Sequence, residues 1–105
     1  MLGFQKLDVY RSAIEFLGLA AAAAEEVPRG NAALLDQLRR AASSIPLNIA
    51  EAAGRTGQTD AARTYAIARG SAMECAAVLD ALFVLKAVDA TTKQRGDDLL
   101  ERIVG

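Results

Sequence analysis

The stretch Leu34-Leu35-Asp36-Gln37-Leu38-Arg39-Arg40-Ala41-Ala42-Ser43-Ser44-Ile45-Pro46-Leu47-Asn48-Ile49-Ala50-Glu51-Ala52-Ala53-Gly54-Arg55 decides the fold. Wound as a helix at about 100° per residue, it gathers Leu34, Leu35, Leu38, Ala41, Ala42, Ile45, Ile49, Ala52 and Ala53 into one core stripe. Beside that stripe runs a second one of Gln37, Arg40, Ser44, Asn48, Glu51 and, were the helix to last that far, Arg55. Arg39, Ser43, Pro46, Leu47 and Ala50 are left for the remaining face. A solvated face carries interchangeable Lys and Glu. This stripe offers amides, a guanidinium, a hydroxyl and a carboxylate at i, i+3, i+4 spacing, the pattern of a polar network read by another helix. Pro46 removes an intrahelical hydrogen bond, so a kink is predicted near Ala42, a defect of roughly 3 kcal/mol if uncompensated. Ser43 and Ser44 are placed to satisfy the freed carbonyls.

Outward from this stretch, three further helical segments are expected. Helix 1, from about Gln5 to Glu26, carries two seams: Leu7, Tyr10, Ile14, Leu17, Ala21, Ala24, and separately Val9, Ala13, Phe16, Ala20, Ala23, Val27. Two dry sides on one helix suggest a partner beyond the bundle, with the Phe16 seam as the expected contact. Val27-Pro28-Arg29-Gly30-Asn31 breaks the helix, and Asn31 is the expected N-cap of helix 2.

Gly54 ends helix 2, and Thr59 or Asp60 is placed to cap helix 3, expected from Asp60 to Val88. Its main seam is Ala61, Tyr65, Ala68, Ala72, Cys75, Leu79 and Leu82; its second is Arg63, Ile67, Gly70, Glu74, Val78, Ala81 and Leu85. Gly70 costs roughly 1 kcal/mol against Ala in a helix, which predicts close approach of another backbone. A carboxylate in that seam needs a partner if buried, so Glu74 is expected to meet Arg40 and Asn48. Asp89-Ala90-Thr91 supplies a turn, and a short helix 4 spans Thr92 to Val104 with Leu99, Leu100 and Ile103 inward. The fold class is therefore all-α, an antiparallel up-and-down four-helix bundle with a short fourth helix. The chain of 105 residues is expected to form one such domain.

Composition narrows function. Apolar residues make up 52% of the chain but aromatics only 5%, so the core is Ala-rich and thin, a condition that self-assembly relieves. The net charge of −1 argues against general attraction to polyanions. Residues 31–69 carry five basic and three acidic side chains, and residues 70–105 four and six. No apolar run approaches the roughly 20 residues that span a bilayer, so no membrane partner is expected. Phe16 to Ala24 is too polar in its lead-in for a signal peptide. The single Cys75 fits a reducing cytoplasm.

The chain has no His, which removes His-based metal sites and general bases in one step. Cys75 lies on an apolar seam with nothing nearby in sequence to lower its pKa, so it reads as core. The loop Gly54-Arg55-Thr56-Gly57-Gln58-Thr59 lacks a preceding strand and a Lys after the second Gly, unlike a phosphate-binding loop. No nucleophile, base and orienting group can be assembled. No catalytic residue, cofactor or metal is expected.

The segments Gln37-Leu38-Arg39-Arg40-Ala41-Ala42-Ser43-Ser44-Ile45, Asn48-Ile49-Ala50-Glu51 and Gly70-Ser71-Ala72-Met73-Glu74 resemble the signature of a bacterial family of small four-helix bundle proteins. Its first members were found encoded in intervening sequences of 23S ribosomal RNA genes. The opening Phe4-Gln5-Lys6-Leu7-Asp8-Val9-Tyr10 is similar as well. The resemblance implies a bundle and a homo-oligomer, a pentamer by family analogy, without an established activity. Members of the family usually continue further at the C-terminus, so helix 4 here is expected to close the bundle less completely. Accessory proteins of diversity-generating retroelements look like relatives, and they form basic pentameric barrels that bind RNA and a reverse transcriptase. Arg39, Arg55, Arg63 and Arg69 are the candidates here for such a nucleic-acid contact, a reading the net charge disfavours.

Overall fold

Small apolar side chains at helical spacing become four α-helices in the computed structural model, which describes residues 1–28 and 30–105. A 3-10 turn at Gly3–Lys6 leads into α1 (Asp8–Glu26), followed by α2 (Ala32–Ala53), α3 (Gln58–Val84) and α4 (Ala90–Val104). There is no strand among the described residues. α1 packs against α2 and α4, and α3 against α2 and α4, while the diagonal pairs keep their backbones apart. This is a four-helix bundle. It measures 44 × 22 × 20 Å.

One apolar cluster draws on all four helices. Its largest fully enclosed side chains are Phe16, Leu38, Ile45, Ile49, Leu79, Leu82 and Cys75, with Ala filling the gaps. The α2 stripe is buried as its spacing predicts from Leu38 to Ala52, whereas Leu34 and Leu35 are half-buried and Ala53 is exposed. On α3 the main seam is core from Ala68 to Leu82, and Ala61 and Tyr65 lie toward solvent.

Several expectations are corrected. The seam of α1 that contains Phe16 is the core itself, with Phe16 0% exposed, so it is not free to hold a neighbour. Of the other seam, Leu7, Ile14 and Ala21 are exposed, while Tyr10 and Leu17 are half-buried against the core. The 3-10 turn is separated from α1 because Leu7 is extended, at φ −70° and ψ 133°. Leu2 N–H donates to the Gln5 side chain at 2.7 Å and steadies the turn. α2 runs through Pro46 as one helix. The Ser43 hydroxyl donates to the carbonyl of Arg40 (3.0 Å), and Asn48 Nδ2 to that of Ser44 (2.8 Å), so neither serine serves the carbonyl of Ala42.

Caps differ as well. Asn31 stands at the N-cap of α2 but donates to the Pro28 carbonyl at 3.1 Å. Arg29 of that break lies outside the described residues. Gly57, not Thr59 or Asp60, precedes α3. That helix stops at Val84 because Lys86 takes a left-handed conformation, φ 60°. There Lys86 N–H donates to Phe83 (2.9 Å) and Ala87 N–H to Leu82 (2.8 Å), which satisfies the last carbonyls of the helix. Asp89 then caps α4, accepting from Thr92 N–H at 2.8 Å. α4 buries Leu99 and Leu100 and half-buries Ile103.

Candidate interaction face

The polar stripe of α2 reaches α3 through serines. Ser71 Oγ donates to Ser44 Oγ at 2.9 Å, and Asn48 Nδ2 donates to the same Ser44 hydroxyl at 2.9 Å. These contacts are half-buried. Ser44 and Ser71 line a shallow polar groove of about 360 Å³ together with Gln37, Arg40 and Glu74. Helical spacing alone put Gln37, Arg40 and Ser44 on one stripe; the groove brings Glu74 to them from α3.

Glu74 is nevertheless exposed, and it makes no ion pair among the described residues. Arg40 turns instead to Asp36 at 3.6 Å, both side chains being mostly in water. The expectation of an Arg40, Asn48 and Glu74 network closed away from water is therefore corrected for the protomer. The reason is at Gly70, where a Cβ would meet nothing within 4 Å. That side of α3 is open, so Glu74 keeps its hydration and needs no partner. Glu51 stands apart from the groove, tied to Arg55 at 2.6 Å on the surface.

Arg39, Arg55, Arg63 and Arg69 are all exposed. Arg63 and Arg69 stand roughly 120° apart around α3 at about 100° per residue, so they do not share a face. Burial, and secondarily the negative charge of Glu74, push the Cys75 thiol up to about 12. It is a core side chain without thiolate at neutral pH.

Sequence reasoning missed the ties that seat α4. Lys93 pairs with Asp97 and with Asp80 of α3 (3.0 Å), and Arg95 with Glu15 of α1 (3.2 Å). The Lys93-to-Asp97 spacing of i, i+4 was a legible signal; the partners on other helices were not. The hydrogen bond to Asp97, then that to Asp80, raises the Lys93 pKa above its ordinary 10.5. Beside these residues, between α3 and α4, lies a second groove of about 540 Å³ with Met73, Ala76 and Leu100 in its lining and Asp80, Asp97 and Glu101 among its polar residues.

The segments that share the Ser44 to Ser71 contact are those whose pattern resembles the intervening-sequence proteins, and the family described as 23S rRNA-intervening sequence protein matches residues 5–105. The chain belongs to this family. No curated protein matches it. In this family member no helix of the described residues is long and apolar enough to cross a membrane. Among the described residues, no group of His, Cys, Asp and Glu converges to hold a metal ion.

Proposed function

We propose that the protein is a non-enzymatic scaffold of the cytoplasm that assembles with itself into a cyclic homo-oligomer, the pentamer being the number the family resemblance implies. One observation carries this reading: large apolar side chains stand exposed along the flanks of the bundle, with Ile14 at 44%, Ile67 at 51% and Leu47 at 67%. Apolar surface set among polar residues marks sites of association. An up-and-down antiparallel order is part of the proposal. It is supported by the short links between successive packed helices and by Glu15 facing Arg95 while Glu26 and Thr92 line one pocket. Gel filtration coupled to light scattering tests the proposal. An oligomeric mass is expected for the wild type, and a monomer at micromolar concentration refutes the reading.

The second reading, a nucleic-acid accessory protein, is favoured by one fact: Arg39, Arg63 and Arg69 make no ion pair among the described residues. Affinity for phosphates falls by about 0.9 log unit per contact for each tenfold rise in salt. Weak binding to structured RNA and duplex DNA is expected at physiological salt. Tight, salt-sensitive binding lost in Arg55→Ala and Arg63→Ala would put the accessory role first.

A further inference from the structure

We propose that the groove between α3 and α4 of one copy receives the Arg63 and Ile67 side of α3 from the next copy, with Arg63 meeting Glu101; this placement rests on the self-assembly reading above. The groove is lined by Met73, Ala76 and Leu100 and by the acidic side chains of Asp80, Asp97 and Glu101. Lys93 occupies Asp80 and Asp97, while Glu101 makes no ion pair among the described residues. The inserting side offers an apolar side chain and a cation at one end, with the exposed Glu74 three turns from that cation at the other. Ile67 is half exposed, and Arg63, one turn before it, is exposed with no ion pair among the described residues. Gly70, one turn after Ile67, has open space above it, so a neighbour can lie close.

The charge of the chain divides in the same sense, five basic against three acidic side chains in residues 31–69 and four against six in residues 70–105. An apolar contact ringed by opposite charges fixes register and excludes other pairings. The two surfaces belong to different sides of α3: Ile67 and Met73 differ by roughly 120° around its axis at about 100° per residue. A contact between unlike surfaces is head-to-tail, and when the rotation closes it produces a ring.

The test uses full-length protein in two forms, Ile67→Cys and Met73→Cys, mixed under mild oxidation with Cys75 left in its buried place. A disulfide-linked pair of chains is expected in the mixture and in neither variant alone. In parallel, Glu101→Arg is expected to raise the dissociation constant about tenfold, and adding Arg63→Glu to restore it. An oligomeric wild type that forms no mixed disulfide and is indifferent to Glu101→Arg overturns this placement while self-assembly stands. A disulfide formed by one variant alone overturns it too, since that requires like surfaces to meet. A monomeric wild type overturns both readings.

Discussion

At Lys86 a side chain sits where the backbone favours glycine, at φ 60°. The left-handed conformation costs a residue with a Cβ roughly 1–2 kcal/mol, so Lys86→Gly should stabilise the fold by about 0.5–1 kcal/mol, read by urea denaturation. Gly96 is the opposite case. A Cβ there would lie 2.6 Å from Leu79 Cδ1 and 3.5 Å from Phe16 Cε1, both in the core. Gly96→Ala gains about 1 kcal/mol of helix propensity but overpacks an enclosed site. The net expectation is a loss of about 1–2 kcal/mol, and a midpoint equal to the wild type's would show that Leu79 yields freely. Glu74 has its environment in water rather than in the bundle, so Glu74→Ala should change stability by no more than about 0.5 kcal/mol. Neither Lys86 nor Gly96 stood out in the sequence, because strain and crowding are properties of position.

At the scale of elements, α4 is seated by specific polar contacts. Its first turn is closed by Asp89, whose carboxyl is held below the ordinary 3.8 chiefly by the backbone N–H of Thr92. A depressed acid stabilises the fold above its unfolded pKa and ceases to do so as pH falls through the folded one. Asp89→Asn should therefore flatten the loss of thermal stability below about pH 4. Lys93 has the opposite sign. Raised above 10.5, its contribution is complete below that value and disappears as pH climbs past it. Lys93→Met should remove the alkaline part of the pH profile above about pH 10.5, while the wild type retains it. The two seams of α1 were both legible, but which one faces inward was not. Periodicity ranks faces only by apolar content, and Phe16 and Ile14 lie on faces of similar hydrophobicity.

For the whole molecule the choice of inner seam changes a test of assembly. Phe16→Glu puts a carboxylate into the fully enclosed centre of the core, so it should unfold the protein rather than release intact protomers. Circular dichroism will show lost helix; a folded monomer would mean that the Phe16 side is an interface after all. Ile67→Glu, on the exposed flank, should leave the helical signal intact and lower the mass in solution. Between them these variants separate folding from association. The sequence by itself determined four helices, the α2 core from Leu38 to Ala52, the α3 core from Ala68 to Leu82, and the family, because these depend on periodic spacing and local pattern. It also indicated that the stripe carrying Ser44 makes a polar contact with another helix. Only the tertiary structure decided that Ser71 is the partner, that Glu74 stays in water, that Phe16 lies inside and Ile14 outside, and that Lys93 fastens α4 to α3. Those outcomes turn on how the helices rotate and approach one another, which no single helix encodes in its own spacing.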